Sequence, residues 1–131
     1  MQSEEFIGIR KQLNKTQQEM AHLLGGSVKA VRSYEQGWRR IPAHAQRQAL
    51  FLLYLKADNP PAGARACWTV MECPDILKLN CPAWEFNAGG FCWFINGTIC
   101  SGRAHVNWTE KIQLCKQCRA FPAVLKNALN P

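Results

Sequence analysis

Seven cysteines, Cys67, Cys73, Cys81, Cys92, Cys100, Cys115 and Cys118, lie in the second half of a 131-residue chain, and residues 1–57 contain none. Cys115-Lys-Gln-Cys118 is the tightest pair, and a two-residue gap lets both thiolates of a knuckle-like turn reach one metal. An odd number of thiols does not fit a fully paired disulfide framework. The first residues, MQSEEFIGIR, carry acid where a secretory signal carries Lys or Arg ahead of an apolar run. No stretch approaches the roughly 18 apolar residues of a spanning helix. The expected location is therefore cytoplasmic, away from membranes, where thiols serve metal binding or redox chemistry rather than structural disulfides. All seven are candidate metal ligands, and the Asn-x-Thr triplets at Asn14, Asn96 and Asn107 are chance matches to a glycosylation signal.

The segment that must position these thiols, residues 66–121, holds short apolar pieces, scattered Pro and Gly and four of the five tryptophans, with little sustained period. A stretch of about 60 residues with so little regular structure buries too small a core to stand unassisted, so a staple is expected. Trp68, Trp84, Phe86, Phe91, Trp93, Phe94 and Trp108 read as core and as shielding for a metal centre rather than as a base-stacking platform. Residues 58–65, with two prolines and a glycine, read as a linker, and residues 122–131 as a short terminal helix or a frayed end.

Cys67-Trp68 and Cys92-Trp93, together with Cys81-Pro-Ala83, Gly97-Thr98-x-Cys100 and Cys115-x-x-Cys118, resemble a small bacterial module with two Cys-Trp pairs, the two-CW domain, over about Cys67 to Phe121. The segment before Cys92 is short against that pattern. The resemblance implies a redox-sensing role in a signalling protein. Two metal readings stay open on the residues. Four thiolates can hold one [4Fe–4S] iron–sulfur cluster, with Cys-Pro steps at Cys73 and Cys81 and tryptophans keeping water away. Alternatively, seven cysteines with His105 make the eight ligands that two tetrahedral zinc sites require. The cluster is the preferred reading.

The first half carries nine Lys/Arg against four Asp/Glu, so it supplies +5 of the formal +7. Such a field attracts polyanions and says little about fold. From Glu4 to Lys56 apolar residues recur at helical spacing: Phe6, Ile9, Leu13; Met20, Leu23, Leu24; Val28, Val31, Tyr34. Asn14-Lys15 breaks the first helix, Thr16-x-x-Glu19 is a capping box for the second, Gly25-Gly26 ends it, Ser27 caps the third and Gln36-Gly37 closes it. Pro42 suits the first turn of a helix over Ala43 to Lys56, whose Ala49, Leu50, Leu52, Leu53 and Leu55 form a stripe available to a core or a dimer interface.

The run from Thr16 to Gly37, TQQEMAHLLGGSVKAVRSYEQG, resembles the helix-turn-helix of the phage repressor and Cro superfamily. Small Ala21 permits close helix approach, Gly25 takes the left-handed turn and Val31 seals the contact. The resemblance implies that Glu35 pairs with Arg10 and that Ser27 to Gln36 enters the major groove. Gln17, Ser27, Val28, Lys29, Ala30, Arg32 and Ser33 then lie nearest bases, with Lys15, Lys29, Trp38, Arg39 and Arg40 on phosphates. Gly26 departs from the pattern, which places an aliphatic residue there. The partner implied is double-stranded DNA, bound as a homodimer or in assembly with another regulator.

The expected architecture is mainly α: a four- or five-helix DNA-binding domain over 1–57, a linker over 58–65 and a small, irregular cysteine-rich metal-binding module over 66–131. The function expected is a transcription regulator with an iron–sulfur module sensing redox state, oxygen or nitric oxide. The competing reading is a zinc-stapled adaptor with a helical assembly domain. No hydrolytic triad, phosphate-binding glycine loop or H-E-x-x-H signature is present, so an enzyme is not expected.

Overall fold

The computed structural model of the chain describes residues 1–57, 66–100, 103–104 and 107–129; the linker over 58–65 and His105 lie outside the described residues. The fold is mainly helical and divides into two compact units. The first contains α1 (Ser3–Gln12), α2 (Gln17–Leu24), α3 (Val28–Gln36) and α4 (Ala43–Lys56). Its core is Phe6, Ile9, Leu13, Met20, Ala21, Val31, Tyr34, Ile41, Ala45, Ala49, Leu50, Leu53 and Tyr54, all buried. These are the positions of the helical period, and α1 packs on α3 and α4 while α2 packs on the same two helices. Tyr34 meets Phe6 edge-on with ring centroids 5.8 Å apart.

The chain's punctuation follows its chemistry. Asn14 takes a left-handed conformation (φ 58°) where α1 ends. Thr16 accepts from the Glu19 amide at 3.1 Å while the Glu19 carboxylate accepts from the Thr16 amide at 2.9 Å, a complete capping box. Gly25 (φ 70°) and Gly37 (φ 76°) end α2 and α3 in the left-handed region that glycine enters without a Cβ penalty. The amide of Gly26 reaches back to the Ala21 carbonyl, and that of Trp38 to Ser33, so both helices close in the same paired-bond motif. Ser27 accepts from the Ala30 amide at the start of α3. Pro42 sits one position earlier than expected, as the N-cap of α4 rather than in its first turn. The Lys56 ammonium donates to the Leu13 carbonyl at 2.6 Å, tying the end of α4 to the end of α1.

Leu23 and Leu55, assigned to apolar stripes, are 43% and 56% exposed. Both lie on the outer side of helices whose inner positions, Met20 and Ala21 on α2 and Ala45, Ala49, Leu50, Leu53 and Tyr54 on α4, already fill the core.

The second unit strings short elements together: α5 (Cys67–Val70), α6 (Asp75–Lys78), α7 (Pro82–Glu85), a 3-10 turn (Cys92–Phe94), the antiparallel pair β1 (Ile99–Cys100) and β2 (Arg103–Ala104), and α8 (Trp108–Cys115). Ile99 faces Ala104 and Cys100 faces Arg103 in the ladder, a small hairpin within a segment read as irregular. Trp93 and Trp108 are buried, and Trp93 meets Phe94 and Phe121 edge-on. Trp84 and Phe86 are exposed, against the shielding role assigned to them, because α7 is one turn long and buries only Ala83.

The last helix, α9 (Ala123–Leu129), buries Leu125, Ala128 and Leu129 at helical spacing. From Val124 onward it belongs to the compact unit of α1–α4. The boundary drawn at 66–131 is corrected accordingly: the cysteine-rich unit ends at Ala123, and the first unit gains a fifth helix from the far end of the chain.

Candidate functional site

Each unit carries one candidate site. In the first, the outer face of α3 presents Lys29 and Arg32 exposed, with Val28, Ala30 and Ser33 half-buried beside them. Ser27 is exposed at the N-cap and Trp38, Arg39 and Arg40 are exposed just beyond the C-cap, with Trp38 79% accessible. Lys15 is half-buried at the rim of an open depression of about 300 Å³ lined by Arg10, Lys11, Asn14, Lys15 and Thr16. All the residues assigned to a DNA contact thus fall on α3, its two ends or the start of α2.

Beneath them runs a connected polar relay. Arg10 grips Glu35 with two bonds, Nε to Oε2 at 2.7 Å and Nη2 to Oε1 at 3.0 Å, and its Nη1 donates to the Lys15 carbonyl at 2.9 Å. The pairing expected from the repressor pattern is therefore present. Gln17 donates through Nε2 to Glu35 at 3.1 Å and accepts through Oε1 from Arg32 Nε at 3.4 Å. Both ends of the Gln17 amide are engaged inside the protein, so it acts first as a strut holding Arg32 out from α3. Ser33 donates its hydroxyl to the Lys29 carbonyl, which leaves only its lone pairs for a ligand.

In the second unit the cysteines come from separate elements. Cys67 opens α5, Cys81 caps α7, Cys92 opens the 3-10 turn, Cys100 ends β1 and Cys115 ends α8. Cys118 follows α8 in a turn where its amide donates to the Cys115 carbonyl. The Cys92 thiol donates to the Cys67 sulfur, which holds Cys67 below the usual thiol range and pushes Cys92 far above it, with burial adding to the latter. Burial raises Cys100 and pushes Cys115 up to about 12. Cys67 feels the charge of Cys81, Cys100 and Cys118, and Cys115 that of Cys92, Cys100 and Cys118, so these six share one electrostatic neighbourhood. Cys73 stands at its edge, raised by burial, its thiol turned onto the Pro74 carbonyl.

Backbone amides point at three of the sulfurs. Ile99 donates to Cys81 Sγ at 3.2 Å, Ala120 to Cys118 Sγ at 3.4 Å and Trp93 to Cys92. Such N–H···S bonds orient the sulfur, as in metal-bound cysteines. The Ala120 bond, two residues on from its acceptor, is a knuckle turn. Among the described residues no group of three or more His, Cys, Asp or Glu side chains stands in a metal-holding arrangement.

Two residues at this site were not picked out from the sequence. Lys111 is fully buried on the inner face of α8 and its ammonium donates to the hydroxyl of buried Thr98. Its charge opposes, without reversing, the rise in Cys92, Cys100 and Cys115. The signal was available: Trp108, Lys111, Ile112 and Cys115 share one face at i, i+3, i+4 and i+7, so an α8 that buries its apolar residues buries the lysine too. Gly89 is the other structural key. A Cβ there would stand 2.5 Å from Ala66 Cβ and 2.9 Å from Ala66 Cα, and the Gly89 carbonyl accepts from the Cys67 amide at 3.0 Å.

No family model, curated protein or solved structure matches the chain. No helix among the described residues is long and apolar enough to cross a membrane. The chain is thus a two-unit, mainly helical protein with a basic helix face in one unit and seven free thiols in the other.

Proposed function

We propose that the chain is a DNA-binding transcription regulator whose cysteine-rich unit holds a metal centre, a [4Fe–4S] cluster that senses redox state, oxygen or nitric oxide. The observation that carries the DNA half is α3 itself: Lys29 and Arg32 stand exposed on a helix whose single acid, Glu35, is occupied by Arg10. An exposed α-helix of this size fits a major groove, with Arg32 suited to a guanine edge and Lys29, Lys15, Arg39 and Arg40 to phosphates. Half-exposed Leu55 on α4 is available to a second copy of the chain, in keeping with a dimeric reader.

The metal half is supported by seven thiols in one small unit, two of them accepting backbone N–H···S bonds, with a buried lysine on α8. Cys67, Cys81, Cys92, Cys100, Cys115 and Cys118 form the pool of ligands, with Cys73 peripheral. A bound cluster would supply one-electron chemistry and lability to oxidants. The protein's own residues supply the rest: Trp93 and Trp108 exclude water beside it, and the amides of Ile99 and Ala120 orient sulfur.

A zinc-stapled adaptor is favoured by one observation, the exposed apolar side chains Ile76, Leu79 and Phe86 around α6 and α7, which suit a protein contact. Purification without oxygen, with iron, sulfide and zinc analysis and an absorption spectrum, separates the two. Brown protein with iron and sulfide in equal amounts is expected; colourless protein with stoichiometric zinc overturns the sensor. Salt-dependent binding to duplex DNA that is lost when Lys29 and Arg32 both become alanine is expected of the reader and not of the adaptor.

A further inference from the structure

Trp38 is 79% exposed, more than any other large apolar side chain among the described residues, and an indole left in water forgoes the burial that usually places it inside. Its backbone is nonetheless fixed. The Trp38 amide donates to the Ser33 carbonyl at 3.0 Å and the Arg39 amide to the same carbonyl at 3.3 Å, just after the left-handed turn at Gly37. The Ser3 hydroxyl donates to the Tyr34 carbonyl at 2.8 Å and pins this end of α3 to α1. The fold therefore holds the indole out at a set place relative to α3. Arg39 and Arg40, next along the chain, are exposed too, and among the described residues neither guanidinium pairs with a carboxylate.

A ligand that suits an indole beside two guanidinium groups presents apolar surface between negative charges. A DNA strand does so at every nucleotide, because a deoxyribose lies between successive phosphates. The length of α3 indicates which part of a duplex is reached. A recognition helix meets base edges with its N-terminal residues, so its C-terminal end leads away from them. At about 1.5 Å per residue, Trp38 stands roughly 9 Å beyond Arg32, against a major groove about 12 Å wide. With Arg32 at base edges near the middle of the groove, Trp38 lies past the wall, over a strand rather than over bases.

We propose that Trp38 lays its indole on a deoxyribose of the strand bordering the groove, between phosphates neutralised by Arg39 and Arg40, and so supplies an apolar, salt-insensitive share of binding to duplex DNA. The inference rests on the DNA-binding reading above and adds a residue that sets how α3 sits in the groove. Apolar burial releases no counterions, so this share persists where the contribution of Lys and Arg is screened.

The test uses the full chain and a labelled duplex pool of random sequence, followed by fluorescence anisotropy across a salt series. Trp38→Ala is expected to weaken binding about tenfold at every salt concentration, the loss of one buried apolar side chain, with the slope of log K against log salt unchanged. Trp38→Phe, which keeps an apolar ring and loses the indole N–H, is expected to restore most of that loss. Arg39→Ala with Arg40→Ala is expected to make the slope shallower by about 1.8, the value of two phosphates. Acrylamide quenching of wild-type emission is expected to fall when duplex is added. Trp38→Phe, whose remaining tryptophans all lie in the cysteine-rich unit, is expected to show no such change.

A Trp38→Ala protein that binds as tightly as wild type, or with a shallower salt slope, overturns the proposal. So does Trp38→Phe no better than alanine, or an indole as open to acrylamide with duplex as without. Tighter binding to a single strand of the same length, or equal binding to polyglutamate, with the same dependence on Trp38 also overturns it, because the indole then meets an unpaired base or an acidic protein. The quenching of wild-type protein decides even where a variant fails to fold. Wild-type protein that binds no duplex at low salt defeats the DNA-binding reading itself, a result seen before any variant is made.

Discussion

The guanidinium of Arg10 on α1 holds the carboxylate of Glu35 on α3 with two hydrogen bonds, of 2.7 and 3.0 Å, and both side chains are largely shielded from water. Through this pair the first helix fixes the rotation of the third, and through Gln17 it fixes Arg32. Fold stability and presentation of the basic face therefore share one set of atoms.

Removing one partner of that pair strands the other. Glu35→Leu leaves the Arg10 charge without its anion and should cost about 3 kcal/mol of unfolding free energy, the range for breaking a shielded pair. Arg10→Met with Glu35→Leu should recover part of that loss, since two apolar residues replace two charges. Urea unfolding followed by circular dichroism measures both. Additive losses in the double variant would show that the pair carries no coupling.

Most of the first unit was legible because its signals are local. The capping box at Thr16, the glycines at 25 and 37 and the 3.6-residue apolar period each act within one or two turns. Each appears where the chain's chemistry placed it. What escaped depends on distant parts of the chain. α9 has the same period as any short amphipathic helix, and nothing local says which unit receives it. In the cysteine-rich unit, identity marked the thiols but spacing did not order them, since Cys67 meets Cys92 across 25 positions. Lys111 was readable from the α8 period, yet a lysine is ordinarily assigned to water.

Gly89 makes a sharp steric prediction. Gly89→Ala places a Cβ against the Cα of Ala66, a backbone atom that cannot rotate away, so the Ala66–Cys67 segment must shift. A loss of about 1–3 kcal/mol is expected, with reduced metal content because Cys67 moves. Gly26→Ala is the control: a Cβ there meets nothing within 4 Å, and the change should be neutral or stabilise by about 0.5 kcal/mol. Equal tolerance of both substitutions, measured by thermal unfolding and metal analysis, would refute the account of Gly89.

The thiols differ in reactivity in metal-free, reduced protein. Cys67 lies below the ordinary thiol range because Cys92 donates to it, so its thiolate share at a given pH is raised. Cys115, pushed up to about 12 by burial, is thiolate to only about one part in ten thousand at pH 8. Since the thiolate is the nucleophile, iodoacetamide at pH 8 should label Cys67 first and Cys115 last, with Cys115 gaining only as the pH rises toward 12. Peptide mass spectrometry of time points reads the order. Folded protein in which Cys115 labels as fast as Cys67 contradicts it.

On the proposed DNA-binding reading, Arg32 and Lys29 would make two kinds of contact from one helix. A guanidinium held out by Gln17 can meet a guanine edge with two parallel bonds, so Arg32→Ala should cost about 1–3 kcal/mol on the preferred sequence and relax the choice of base at one position. Lys29 is exposed and on the proposed reading would neutralise a phosphate, so Lys29→Ala should weaken all sequences alike and make the slope of log K against log salt shallower by about 0.9. Gln17→Ala removes no charge, yet it should resemble Arg32→Ala in relaxed specificity, because the strut rather than the contact is lost. Selection of binding sites from a random duplex pool, followed by salt titration on the selected site, measures all three. A Gln17→Ala variant with unchanged base preference and a shallower salt slope would instead make Gln17 a phosphate contact, and the relay would then serve the fold alone.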